Sequence, residues 1–132
     1  MLPAPDRIAK TRNFQIDQDM EFKNEIKNNR LILRLLGDLI GENNGPALLE
    51  VVNTAIQQNV MTCIVDISAV RYINSSGIGV LITILTKFRN KSGEVYLMKP
   101  SDSVQKLLVI TKLNAIFQII QSEEEISKIT IQ

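Results

Sequence analysis

Residues 62–67, TCIVDI, form a short and almost wholly apolar run, flanked by two stretches whose apolar residues recur at helical spacing. A central strand covered on both faces of its sheet needs such a run. Strands that alternate with helices commit a chain to an α/β layer fold, in which right-handed crossovers join parallel strands. The 132 residues suffice for one domain with a real core. The expected architecture is a mixed central β-sheet with parallel strands, packed against α-helices.

The remaining elements fit this frame. EFKNEI (residues 21–26) and RLILRLLG (residues 30–37) read as two strands of a hairpin turned at Asn28-Asn29, the second ended by Gly37. GENNGPALLEVVNTAIQQN (residues 41–59) reads as the first helix. Asn44 or Gly45 is expected to cap it, with Pro46 at the first helical position and an apolar stripe of Leu48, Leu49, Val52, Ala55 and Ile56. The second helix is expected from Ser75 to about Asn90, with Ile78, Leu81, Ile82 and Leu85 inward and Thr83 and Lys87 outward.

GEVYLMK (residues 93–99) reads as a strand closed by Pro100. SDSVQKLLVIT (residues 101–111) reads as a third helix, with an Asp102–Gln105 capping box and a shared face of Val104, Leu107, Leu108 and Thr111. AIFQII (residues 115–120) is expected as a last strand, and SEEEISKI (residues 122–129) as a terminal helix with a Ser122–Glu125 capping box. Residues 1–20 carry two prolines and no clear period, so they read as an extension with a short strand around residues 14–16. The domain itself is expected over residues 21–132.

Composition removes several function classes. Fifteen basic against fourteen acidic residues leave a formal charge of +1, which gives no global field for nucleic acid or anionic lipid. Four Phe, two Tyr and no Trp are poor material for stacking bases. No apolar run approaches the roughly 20 residues of a membrane span, and the N-terminus lacks the apolar stretch of a signal peptide, so a cytoplasmic protein is expected. Without histidine there is no imidazole triad and no His-containing metal site. A single cysteine, Cys63, excludes an internal disulfide and a Cys cluster, and its place in TCIVDI reads as core packing. Carboxylate, lysine or serine chemistry stays open without histidine but needs a constellation that the sequence does not show, so the expectation is no catalytic residue, no metal, no cofactor and no enzymatic activity.

The turn Asn74-Ser75-Ser76-Gly77-Ile78-Gly79 joins the central strand to the second helix. Gly77-Ile78-Gly79 begins a dinucleotide-binding pattern, but the third glycine position holds Ile82, and no Walker loop occurs anywhere. A nucleophile elbow needs glycine two residues before its serine, where Ile73 and Asn74 stand instead. Helix capping by Asn74 or Ser75 accounts for one small polar residue, not three in a row followed by two glycines. A phosphate acceptor accounts for the cluster better. A serine at a helix start is exposed, and its phosphate would meet free N–H groups and the positive end of the helix dipole.

Over about residues 30–129 the chain resembles the STAS domain of bacterial anti-sigma factor antagonists. The likeness is carried by the apolar strand ending in Asp66, a turn of the Asp-Ser-[Ser/Thr/Ala]-Gly-[Leu/Ile]-Gly type, the strand at Gly93-Glu94 and the Leu113-x-x-x-Phe117 ending. The resemblance implies partner switching: the unphosphorylated antagonist binds an anti-sigma factor that is also a serine kinase and so releases a sigma factor. Phosphorylation of the first serine of the turn, here Ser75, ends that complex, and a serine phosphatase restores it. The resemblance further implies a switch turn of Asn74, Ser76, Gly77 and Gly79, and partner contacts at Asp38, Thr83 and Lys87. No direct nucleic-acid or membrane partner is expected. Two departures stand out. Asn74 replaces the usual acidic residue before the serine, and Gly37-Asp38-Leu39-Ile40 replaces Gly-Glu-Leu-Asp, with Glu42 nearby. An alternative is a STAS scaffold that binds a regulatory protein or small ligand without phosphorylation; an enzyme or a transporter's cytoplasmic domain is disfavoured.

Overall fold

A computed structural model describes residues 21–126. The expected strand at residues 14–16 and the end of the terminal helix lie outside them. Five strands form one sheet in the order β1-β2-β3-β4-β5: β1 (Glu21–Lys27), β2 (Arg30–Leu36), β3 (Thr62–Ala69), β4 (Glu94–Met98) and β5 (Gln118–Ile120). β1 runs antiparallel to β2, and every later neighbour pairs in parallel. The hairpin turn places Asn28 and Asn29 at φ 55° and 61°, as a turn matching the twist of its strands requires.

Both faces of the sheet are used. Leu31, Leu33 and Leu35 of β2, Cys63, Val65 and Ile67 of β3, and Val95 and Leu97 of β4 share one cluster with α1 (Gly41–Gln57), α2 (Ser75–Arg89) and α3 (Asp102–Ile110). On the opposite face Ile32, Ile64, Tyr96, Met98, Ile120 and Ile126 form a second cluster. This explains why TCIVDI has no polar alternation before Asp66. Cys63 is fully buried in the first cluster, and burial pushes its thiol pKa up. β3 continues past Asp66, whose carboxylate accepts hydrogen bonds from the Ser68 N–H and Oγ at 3.0 and 2.7 Å.

Four local expectations change. α1 begins at Gly41, so Asn44, Gly45 and Pro46 lie inside it. Asn44 Oδ1 accepts the Ile40 N–H at 3.1 Å, and Gly45 serves packing, since a Cβ there would stand 2.8 Å from Val80 Cγ2. α3 is capped by Ser101, whose Oγ accepts the Val104 N–H, one residue earlier than the expected cap at Asp102. A 3-10 turn (Leu113–Ala115) occupies the approach to β5, with Leu113 and Phe117 buried, so the last strand is shorter than AIFQII. Residues 124–126 are helical, and Glu125 Oε2 accepts the Gln121 N–H at 2.8 Å in place of the expected Ser122–Glu125 box.

α2 also sits in a different rotation. Its buried residues are Gly77, Val80, Leu81, Ile84, Leu85 and Phe88, whereas Ile82 is 38% exposed and Ile78 is half-buried. The helix is apolar at 78, 80, 81, 82, 84 and 85, so periodicity alone allows more than one face inward. Packing at its N-terminus decides, because Gly77 has to face Leu39. The solvent face then runs through Ser75, Gly79, Ile82 and Thr86, with Thr83 and Lys87 half-buried along its edge. Phe88→Ala is expected to cost about 3–5 kcal/mol of stability, whereas Ile82→Ala should stay within about 0.5 kcal/mol. Denaturant unfolding of the two variants checks this rotation, and the reverse order would refute it.

Candidate functional site

The sequence places small residues where two helices begin at one point. The loop after β2 and the loop before α2 are laced together by the Leu39 N–H on the Tyr72 carbonyl (2.9 Å), the Asn74 N–H on the Leu39 carbonyl (3.2 Å) and a Leu39–Ile73 bridge. That lacing sets the start of α1 against the start of α2. A Cβ on Gly41 would stand 2.3 Å from the Ser76 carbonyl oxygen, and one on Gly77 would stand 2.5 Å from the Leu39 carbonyl oxygen. Both glycines are therefore required by backbone approaching backbone. Gly79 differs, because a Cβ there would meet nothing within 4 Å.

Asn74 joins the two helix ends. It caps α2 in an extended conformation, its Oδ1 accepting the Gly77 N–H at 2.7 Å. The same oxygen accepts the Gly41 N–H of α1 at 3.3 Å. Its Nδ2 donates to Glu42 Oε1 at 3.1 Å. Ser76 Oγ donates to Glu42 Oε1 at 2.6 Å and lies 3.1 Å from Asn74 Oδ1. The Glu42 carboxyl is held below the usual carboxylate range, first by the Ser76 hydroxyl and then by backbone and Asn74 donors.

Ser75 stands apart from this network. It is the first residue of α2, it is exposed, and among the described residues its hydroxyl makes no side-chain hydrogen bond. Asp38 lies on the loop before α1, half-buried, with Oδ1 buried and without a hydrogen-bond partner among the described residues. The structure thus brings Asn74, Ser76 and Gly77 together and leaves Thr83, Lys87 and Asp38 outside the hydrogen-bonded cluster. Gly41 and Glu42 are the site residues that sequence reasoning missed. Starting the first helix at Gly41 would have put Glu42 in its first turn and exposed the connection.

The chemistry on offer is limited. Among the described residues no group of three or more acidic or Cys side chains converges to hold a metal ion, and none of the helices is long and apolar enough to cross a membrane. The turn presents a hydroxyl at the positive end of a 15-residue helix.

The profile of the STAS domain family matches residues 19–126. Among solved structures, a candidate anti-sigma factor antagonist from Thermotoga maritima is 23% identical, with a TM-score of 0.74 over 84% of this chain and 95% of that one. The anti-sigma factor antagonist SpoIIAA in its unphosphorylated form is 21% identical, with a TM-score of 0.64 over 84% of this chain and 97% of that one. SpoIIAA in its phosphorylated form, described as a Bacillus cell fate determinant, is 22% identical, with a TM-score of 0.64 over 83% and 99% of the respective chains. These likenesses establish a shared fold.

Two outcomes test the site's construction. Gly79→Ala should stabilise the chain by about 0.4–1 kcal/mol, because alanine fits an open helical position, whereas Gly77→Ala should destabilise it through the clash with Leu39. Melting curves of both variants settle that contrast. The Glu42 carboxyl is lowered in the folded state, so its stabilising contribution is complete above the unfolded carboxylate range and is lost as pH falls through the lowered folded value. The melting-temperature gap between the chain and Glu42→Ala should therefore narrow below a pH of about 4. Ser76→Ala should move the Glu42 carboxyl titration, followed by carbon NMR, back upward.

Proposed function

The chain belongs to the STAS domain family, and from that premise we propose that it is an anti-sigma factor antagonist switched by phosphorylation of Ser75. The observation that carries this reading is the inequality of two adjacent hydroxyls: Ser76 is held by Glu42 at 2.6 Å, while Ser75 is exposed at the helix start. SpoIIAA, a relative in fold, occurs in unphosphorylated and phosphorylated forms. The protein is then a substrate of a serine kinase and of a serine phosphatase, not itself a catalyst, and it acts in the cytoplasm. The kinase doubles as the anti-sigma factor that the unmodified antagonist sequesters, which releases a sigma factor.

The physical mechanism is a change of charge on a constant shape. A phosphate on Ser75 carries roughly −1.5 to −2 charges and lies at the positive end of α2, so the fold tolerates it. A partner docked over the exposed face of α2 meets the same charge without water, and an unpaired desolvated charge costs several kcal/mol. The docking surface runs from Ser75 through Gly79, Ile82 and Thr86, with Thr83 and Lys87 at its edge and Asp38 beside the switch turn. In this reading residues 1–20 contribute little to binding the partner, and their deletion should leave its affinity nearly unchanged. A second reading, a STAS scaffold that binds a regulatory protein or small ligand without modification, is favoured by Asn74, which supplies an amide where the family's turn carries an acid.

The decisive experiment is a kinase and binding assay on variants of the turn. Ser75→Ala should take up no phosphate and bind the anti-sigma partner permanently. Ser75→Asp should keep its melting temperature while binding roughly tens to thousands-fold more weakly. Phosphate retained in Ser75→Ala would refute the assignment, and a chain that no kinase modifies but that still binds its partner would favour the second reading.

A further inference from the structure

We propose that Glu42 is the positioning residue of the switch: a carboxylate supplied by α1, matched to the amide at position 74, that reserves Ser75 as the free hydroxyl. The directing role rests on the reading of Ser75 as acceptor; the carboxylate–amide match stands on geometry alone.

The two ends of the Asn74 side chain do different work. Its oxygen must accept, because the Gly77 and Gly41 N–H groups both point at it, at 2.7 and 3.3 Å. Its nitrogen must donate, because Glu42 Oε1 lies 3.1 Å away. An amide performs both tasks, whereas an ionised carboxylate performs only the first. Aspartate at this position would retain the two backbone donors but would bring two carboxylates to hydrogen-bond distance with no proton between them. Asn74 is therefore complementary to Glu42, and the acidic charge of the turn has passed from position 74 to the neighbouring helix.

The relocated carboxylate also sorts the serines. Glu42 Oε1 accepts the Ser76 hydroxyl proton at 2.6 Å and holds that half-buried oxygen in the seam between α1 and α2. Ser75, one residue earlier, takes no part in the seam's hydrogen bonds and stays exposed. Two hydroxyls of identical chemistry become unequal through one side chain of another helix.

The test is thermal unfolding of four chains at pH values of about 7.5 and 4.5: the unmodified chain, Asn74→Asp, Glu42→Gln and the double variant. At the higher pH, Asn74→Asp should melt about 4 °C or more below the unmodified chain. The deficit should shrink at the lower pH, where the two carboxyls share a proton. It should largely vanish in the double variant, where the glutamine N–H can donate to the introduced carboxylate, while Glu42→Gln alone should lose less than Asn74→Asp, only the part that the Glu42 charge contributes. If Asn74→Asp is too unstable to isolate, recovery of a folded chain on adding Glu42→Gln is the expected result. An Asn74→Asp chain that matches the unmodified one, or a deficit indifferent to pH and to Glu42→Gln, would overturn the match. In a second arm, phosphopeptide mapping of chains expressed in the source cells should find Ser75 alone in the unmodified chain and both serines in Glu42→Ala. Phosphate confined to Ser75 in both chains would overturn the directing role. The thermal cycle needs no phosphate, so the match stands or falls independently of whether Ser75 is modified.

Discussion

One oxygen atom ties α1 and α2, the two longest helices among the described residues, together. Asn74 Oδ1 receives the N–H of Gly77 at the start of α2 and the N–H of Gly41 at the start of α1. Helix starts leave their first N–H groups without intrahelical partners, and α1 has no side-chain cap of its own. Sharing one acceptor satisfies one such group at each end and fixes their separation. The glycine contacts with the Ser76 and Leu39 carbonyls follow from that closeness. So does the rotation of α2, because Gly77 must face Leu39 and the buried face then continues through Val80, Leu81, Ile84 and Phe88.

The sheet makes this meeting possible. β2, β3 and β4 run parallel, so the chain leaves β2 and β3 at the same edge and enters α1 and α2 side by side. Ligand sites of open α/β sheets commonly lie at this edge. Here backbone contact between the loops after β2 and β3 closes that part of the edge and leaves the Ser75 hydroxyl exposed beside it.

The fold is largely legible in the sequence because its signals are redundant. TCIVDI is apolar at positions that point to opposite faces, and the structure has a core cluster on each. Asn28-Asn29 names the hairpin turn, and both residues adopt positive φ. The site is half legible. Asn74, Ser75, Ser76 and Gly77 announce a helix start, but nothing local says that Glu42, 32 residues before Asn74, closes the network. Pro46 points to a helix beginning some five residues too late, because the cap of α1 comes from another element and leaves no local mark. The rotation of α2 is hidden for the opposite reason, since an excess of apolar residues erases the period.

The hairpin turn at Asn28-Asn29 lies at the far end of the strands from the Asn74 turn, beside the starts of β3 and β4, where Arg30 pairs with Thr62 and Thr62 with Glu94. Seven residues of β2 at roughly 3.3 Å each separate the two ends by about 20 Å. Its residues are exposed and, being a two-residue connection, carry no core side chain. A fluorophore or affinity handle grafted there would report on encounters at the opposite pole without touching it. The sheet thus holds a point of attachment and the Ser75 turn at opposite ends of one strand.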